Sequence, residues 1–364
     1  MKNFPGLPAA KAALPLWLCA ALLFCLSACS APEPARVEEE FFAMDTLIRL
    51  TAYGENAAEA VGAAVERVRE LARMASPSDP ESDVCRINRS AGKAYVRVHP
   101  EILKMIKAAI AYGGITGGVF DITVGPLVAL WGIGTENAGR PSGEAIDAAR
   151  SYIGSDRILL DEAGCGVMLP AEGMSIDLGG IAKGFAADAA LEIFRDFGVR
   201  SALIDMGASS IYTLGEKPDG TGWSVAVKHP RKSAGGPYLC TLQLSDQALS
   251  TSGDYERYFI QDGNRYHHIL DPATGCPADS GVMSVTVIVD EDVPDCNMLA
   301  DILTKAVFIA GVEKGFQMID QIPGAACLAA GTDFRIYVSG NWRARLDRIS
   351  GDFTSPEETR RPAR

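Results

Sequence analysis

The run Ser175-Ile-Asp-Leu-Gly-Gly-Ile-Ala-Lys-Gly184 constrains this chain more than any other segment. It reads as an apolar strand ending in Asp177, a turn at Gly179-Gly180 and the start of a helix. The helix shows in its spacing: Ile181, Phe185, Ala189, Ile193 and Phe197 recur every four residues, and Gly198 supplies the stop. A tight strand-to-helix turn gathers unpaired backbone N–H groups and the positive end of a helix dipole in one place. Glycines let that backbone approach a bulky anion, so the segment suits a phosphate or pyrophosphate. The plainer alternative is that the paired glycines only permit a sharp turn.

Residues 1–28 read as a secretion signal. Lys2 and Lys11 give a basic start, and the apolar run Ala12 to Leu26 is too short to span a bilayer as a mature helix. It closes on Leu26-Ser27-Ala28-Cys29, the lipobox pattern in which the cysteine becomes the N-terminus and carries acyl chains such as palmitate. The expected location is therefore a bacterial membrane surface on the extracytoplasmic side, reached through a lipid on Cys29. Residues 29–40, with two prolines and three consecutive glutamates, read as a flexible tether. The formal charge of −12 and the lack of a basic stripe argue against nucleic acid as a partner. Cys85, Cys165, Cys240, Cys276, Cys296 and Cys327 show no Cys-x-x-Cys pair or regular spacing, so no zinc site or dense disulfide framework is indicated.

Residues 41–341 have the composition of one large domain. Strands are expected at Phe42 to Ala52, Trp223 to Lys228, Leu239 to Leu244, Arg265 to Leu270, around Val285 to Val289, and near Ala326 to Ala330 and Phe334 to Ser339. Val61, Ala64, Val65, Val68 and Leu71 mark an amphipathic helix, Pro100 opens another, and Asn297 to Ala310 a third that ends at Gly311. The plan is α+β, with mixed or antiparallel sheets flanked by helices. The Gly134 to Gly143 stretch reads as a loop, and residues 342–364 as a disordered tail.

Polar clusters sit at the ends of these elements, where sites are commonly built. Asp121 and Thr123 lie two apart in Gly118 to Leu127; if extended they share one face, with Phe120 and Ile122 on the other. Ser250-Thr-Ser-Gly-Asp-Tyr-Glu-Arg257 packs hydroxyls around a glycine. Tyr266-His-His-Ile-Leu-Asp-Pro-Ala-Thr-Gly275 holds two of the four histidines in the chain. Each cluster has a plain reading as well: Asp121 as a cap, Ser250 and Thr251 as turn formers, one of the histidines as simply exposed.

Taken in order, Ala43-Met44-Asp45-Thr46, Ser82-Asp83-Val84 with Asn88, Gly118 to Trp131, Asp177 to Gly184, Gly253 to Arg257, His268 to Gly275 and Ala300-Asp301 resemble the ApbE family of flavin transferases. The resemblance runs from Ala43 to about Ser339. It implies Mg²⁺-dependent transfer of FMN from FAD to a serine or threonine hydroxyl of an acceptor protein, with AMP released and a phosphodiester left. The acceptors it implies are extracytoplasmic flavoproteins such as electron-transfer subunits. Carried over by position, Met44, Phe120, Asp121, Ile122, Thr123, Asp177, Lys183, His268, Ile269 and Leu270 would contact the flavin nucleotide. Gly180, through its carbonyl, and Asp301 would bind the metal. His268 and Asp301 would be the catalytic residues, His268 either activating the acceptor hydroxyl or positioning it.

One position departs from the family pattern. Where the family often has a metal-binding threonine four residues after the aspartate, this chain reads Asp301-Ile-Leu-Thr-Lys305. Residues i and i+4 share a helix face, and an ammonium has no lone pair for a metal. Lys305 could swing away and leave water in the shell, supply positive charge in place of part of the metal's work, or cede the place to Thr304. The expectation is a retained metal with fewer protein ligands. The rival activities are an FAD pyrophosphatase giving FMN and AMP, and a non-catalytic FAD-binding lipoprotein.

Overall fold

The strand Val282–Asp290 is buried along nearly its whole length, because it lies inside a sheet covered on both faces. A computed structural model describes residues 34–233, 236–342, 344 and 346–355. Within it eight strands follow one another across a single sheet: β1 (Arg36–Ala43), β2 (Thr46–Tyr53), β3 (Ser201–Asp205), β4 (Ser210–Leu214), β5 (Gln247–Gly253), β6 (Val282–Asp290), β7 (Ala325–Gly331) and β8 (Ile336–Val338). Every neighbouring pair is antiparallel.

Alternation sorts the side chains between two cores. On one face Val285, Val287 and Val289 pack against helices α1 (Ala57–Ala75), α2 (Ala182–Asp196) and α3 (Cys296–Ile319). On the other, Met283, Ile288, Leu249 and Leu328 meet a three-stranded sheet formed by Trp223–Ser233, Gly236–Leu244 and Leu346–Asp347. A small third core joins Leu127, Trp131, Ile146 and Leu270. It is pinned by the Trp131 indole N–H, which donates to the Gly275 carbonyl at 2.8 Å. The architecture is the expected α+β plan with antiparallel sheets and flanking helices.

Helices α2 and α3 approach closely at Gly184, where an added Cβ would lie 2.3 Å from the Asn297 carbonyl oxygen. The expected end of α3 at Gly311 is half right. Gly311 takes φ 79° and ψ 174°, dividing the helical segment, but helix resumes and runs to Ile319.

Four local expectations give way. Residues 36–40 of the expected tether are strand, paired in full with β2; Glu40 is held by Arg49 Nε at 2.6 Å and Glu38 by Thr51 Oγ1 at 2.9 Å. An outermost strand carries charge on its open side, which is why its composition resembles a linker. The single opening strand is instead two, joined through Met44 and Asp45, both in the left-handed region (φ 51° and 58°), as a two-residue hairpin turn of this hand requires. The expected strand before Gly179 is extended backbone outside any sheet. Its ladder is replaced by Asn88, whose amide accepts from Ile176 N–H at 2.8 Å and donates to Ile176 C=O at 3.0 Å. The described part of the expected disordered tail is packed: Phe353 and Trp342 are buried, Leu346–Asp347 pairs with the 236–244 strand, and Thr354 bridges to Arg335. The signal segment 1–28, Cys29, the tether up to residue 33 and residues 356–364 of the tail lie outside the described residues.

Candidate active site

The site grows from the junction of α2 and α3. Asp301, on the second turn of α3, is fully buried. Its Oδ2 accepts the Gly184 amide N–H from the first turn of α2 at 3.1 Å. The close approach at Gly184 is what brings that amide within reach. Strand β5 turns Ala248, Ser250 and Ser252 toward the helices. Ser250 Oγ donates to the Ser209 carbonyl at 2.8 Å and lies 3.4 Å from Asp301 Oδ1. Ser252 Oγ donates to Thr304 Oγ1 at 2.8 Å.

Lys305, one helical turn beyond Asp301, does not swing away: its ammonium donates to Asp301 Oδ1. Thr304 does not take over, because its hydroxyl donates to the Asp301 carbonyl at 2.8 Å and accepts from Ser252. Lys183 lies within electrostatic reach of Asp301, Lys305, Arg257 and Glu256, and desolvation lowers its affinity for a proton. One buried carboxylate therefore carries an ammonium directly, with a second lysine within electrostatic reach, and Glu256 is already paired with Lys228 at 2.9 Å.

The adjacent histidines separate cleanly. His267 is buried, with Nε2 3.0 Å from the Ala278 carbonyl, Nδ1 accepting Ile269 N–H at 3.3 Å, and its ring edge-on to Phe308. It is a structural group. His268 is half-buried, and its Nδ1 lies 3.3 Å from the Arg257 carbonyl. A carbonyl oxygen only accepts, so that contact puts the proton on Nδ1 and leaves Nε2 with a free lone pair. Burial, then the charge of Arg257, push the His268 pKa down to about 3, so the ring is a neutral acceptor near pH 7.

The remaining predicted contacts divide. Phe120 lies against Gly180, its ring 3.1 Å from where a Cβ would stand. Asp177 N–H donates to the Ile122 carbonyl at 2.8 Å, joining the Asp121 loop to the glycine turn. Met44 sits in the hairpin turn against the main core, beside Asp45, which is 4.0 Å from Arg257. Asp121 and Thr123 are not an extended pair. Asp121 caps the short turn Ile122–Val124, accepting from Thr123 N–H at 2.7 Å and Ser155 N–H at 2.9 Å. Thr123 Oγ1 accepts from Gly154 N–H at 2.8 Å. These polar atoms hold the loop itself. Ile269 and Leu270 are core side chains, so only their backbone could face a ligand.

The helix-start amides also differ from expectation. Gly184 N–H is taken by Asp301, and Gly179 N–H donates to Asp177 Oδ1 at 2.7 Å. Two of the expected anion-binding amides are thus occupied by carboxylates. Sequence reasoning missed the loop from Met206 to Ser209, which supplies the Ser209 carbonyl to Ser250. There Gly207 (φ 77°) leaves room for Thr46, whose Oγ1 would stand 2.0 Å from an added Cβ. A glycine between two apolar strands was its one signal.

The donor set does not fit a divalent cation. Mg²⁺ needs oxygen ligands, usually including one or two carboxylates. The carboxylate of Asp301 carries an ammonium on one oxygen and an amide on the other, with a second lysine, Lys183, within electrostatic reach.

Fold and site thus define a class: an antiparallel α+β protein whose two central helices join at a buried aspartate paired with a lysine. The ApbE family model matches residues 44–329, and the chain belongs to that family. It is 36% identical to the FAD:protein FMN transferase of Klebsiella pneumoniae (strain 342), covering 76% of this chain and 82% of that one. It is 33% identical to the FAD:protein FMN transferase of Treponema pallidum (strain Nichols), covering 81% and 84%. Among solved structures, the ApbE protein of Thermotoga maritima superposes with a TM-score of 0.76 at 35% identity, over 84% of this chain and 97% of that one. The flavin transferase ApbE of Vibrio cholerae gives 0.71 at 28% identity, over 84% and 98%.

Proposed function

We propose that this chain is an FAD:protein FMN transferase. It moves the FMN half of FAD onto a serine or threonine hydroxyl of an acceptor protein and releases AMP. The observation that carries this reading is the Lys305–Asp301 pair at the α2–α3 junction, with Lys183 within electrostatic reach of that pair and of the neutral His268, in a chain whose relatives bear that name. His268 Nε2 accepts the acceptor hydroxyl proton. The hydroxyl oxygen bonds to the FMN phosphorus, the P–O bond to the AMP phosphate breaks, and AMP leaves with the electron pair. The cationic side chains hold the charge that develops on the phosphate oxygens, a fixed electrostatic arrangement of the kind phosphoryl transfer depends on. Asp301 sets the positions of Lys305 and of the first turn of α2.

The lipobox at Leu26 to Cys29 supports a lipid-anchored protein on the extracytoplasmic membrane face, with acceptors such as electron-transfer flavoproteins in the same compartment. Cys29→Ser is expected to release a soluble, active enzyme; a variant that stays membrane-bound after signal processing removes the anchor reading. The activity is tested by incubating the chain with FAD and the extracytoplasmic proteins of its host. Flavin fluorescence that survives denaturing electrophoresis, with an intact-mass gain of one FMN on the labelled protein, is the expected result. FMN and AMP without a labelled acceptor would make it a pyrophosphatase. FAD retained unchanged would make it a binding protein.

A further inference from the structure

We infer that Lys305 is the resident cation of this site, standing where a divalent metal ion would otherwise meet the pyrophosphate, so that the chain transfers FMN without a divalent ion. The inference deepens the transferase reading and rests on it for its kinetic arm.

Three observations converge. Lys305 is held in place: its side chain is 18% exposed, and its ammonium sits on the fully buried Asp301 in an i,i+4 pair. That carboxylate is committed at both oxygens, to Lys305 and to the Gly184 amide at 3.1 Å, with Ser250 Oγ 3.4 Å away. A dication entering here would have to displace an ammonium from a buried carboxylate, and separating such a pair is costly because it leaves a buried charge without its partner. Next, Lys183 lies within electrostatic reach of both Asp301 and Lys305, and a second basic side chain beside the pair favours a diphosphate over a dication. Finally, the one hydroxyl on that stretch of α3 that could replace a lost ligand, Thr304, is tied to Ser252 and to its own helix. The departure at position 305 is therefore built into its surroundings.

The chemistry balances without a metal. The acceptor O–H proton goes to His268, the new bond joins its oxygen to the FMN phosphorus, and the anhydride P–O bond breaks toward AMP. Negative charge grows on the phosphate oxygens, where a preplaced ammonium in a water-poor site can stabilise it. A monovalent side chain carries less charge than Mg²⁺, and its fixed position on Asp301 offsets part of the difference.

The test uses the full-length protein loaded with FAD. After exhaustive chelation, the native chain is expected to transfer FMN to its acceptor within about twofold of its rate in MgCl₂. Lys305→Thr is expected to lose about 10²–10³-fold in chelator, the scale on which a single transition-state stabilising group acts, and to recover when MgCl₂ is added. A native rate that depends on added MgCl₂, or a Lys305→Thr rate in chelator equal to native, overturns the inference. Should no acceptor be labelled under any condition, the transferase reading fails, and Mn²⁺ titration followed by electron paramagnetic resonance decides the Lys305 claim alone. The native FAD-loaded protein should show no saturable Mn²⁺ site beyond that of free FAD. A saturable site would overturn the inference. This arm needs no variant, so it stands even if Lys305→Thr does not fold.

Discussion

Two buried aspartates face each other's helices at the α2–α3 junction, and they are used in opposite ways. Asp188 of α2 reaches the start of α3, accepting from Asn297 N–H at 3.0 Å, Asn297 Nδ2 at 2.8 Å and Met298 N–H at 2.9 Å. Asp301 of α3 reaches back to the start of α2 through Gly184. Both satisfy helix N-terminal amides that would otherwise be orphaned. Asp188, however, has only uncharged donors bonded to it, three amide N–H groups and the Cys296 thiol at 3.9 Å, and burial raises its pKa to about 6 despite the Asn297 and Met298 bonds. Asp301 adds an ammonium to its amide. The same local chemistry thus serves as a staple on one side and, with the Lys305 ammonium bound to it, as a charged centre on the other. Burial and capping are common to both aspartates; the directly bound ammonium belongs to Asp301 alone.

Breaking the cation side should have the largest effect. Asp301→Ala is expected to lower FMN transfer by at least about 100-fold, since it frees the ammonium that must be preplaced, while FAD binding stays largely intact. Single-turnover labelling and flavin fluorescence titration read the two quantities. Loss of FAD retention together with transfer would place Asp301 in flavin binding instead.

Gly184→Ala attacks both carboxylates at once. Its Cβ would stand 2.3 Å from the Asn297 oxygen and 2.6 Å from the Met298 Cα, so the helices must part. A loss of about 3–5 kcal/mol in urea-melt stability is expected, the upper range of overpacking and broken-network effects. A stability within about 1 kcal/mol of native would mean that the helices are free to separate there.

Asp188→Ala strips three amide donors and the Cys296 thiol of their acceptor and should cost about 3 kcal/mol, as unsatisfied buried groups do. Transfer per folded molecule should not change. A selective loss of transfer would erase the distinction between the two aspartates.

The smallest effect is in pH. Asp188 binds its proton more tightly folded, at about 6, than unfolded. Its folded-state proton excess makes stability fall as pH rises through that window and level off above it. The expected loss is about 2 kcal/mol between pH of about 4.5 and about 6.5. Asp188→Asn should flatten that segment of a stability–pH curve; an unchanged slope would assign it to other groups.

Much of this arrangement was legible in the chain. The four-residue spacing from Ile181 to Phe197 marks α2, and the i,i+4 relation of Asp301 and Lys305 set the two side chains on one helix face. Local periodicity carries such information directly. The Met44-Asp45 turn was not legible, because Met44 is not a usual left-handed former and no glycine follows Asp45; the turn is held by the strands it joins. Nor was the role of Asn88, which stands in for a strand ladder 88 residues away. That the Gly184 amide serves Asp301 rather than a ligand depends on a helix 117 residues further on. Contacts set by packing at such separation leave no trace in local spacing. The same holds for Phe353, whose burial anchors a segment whose composition reads as disordered.

The most direct test compares Asp301→Asn with Asp188→Asn, each assayed for FMN transfer at matched folded fraction. Both changes remove one charge and keep the side-chain shape. The account predicts a loss of at least about 100-fold for Asp301→Asn, the scale of a lost electrostatic element, and a rate close to native for Asp188→Asn. Equal losses, or a larger loss at Asp188, would contradict it.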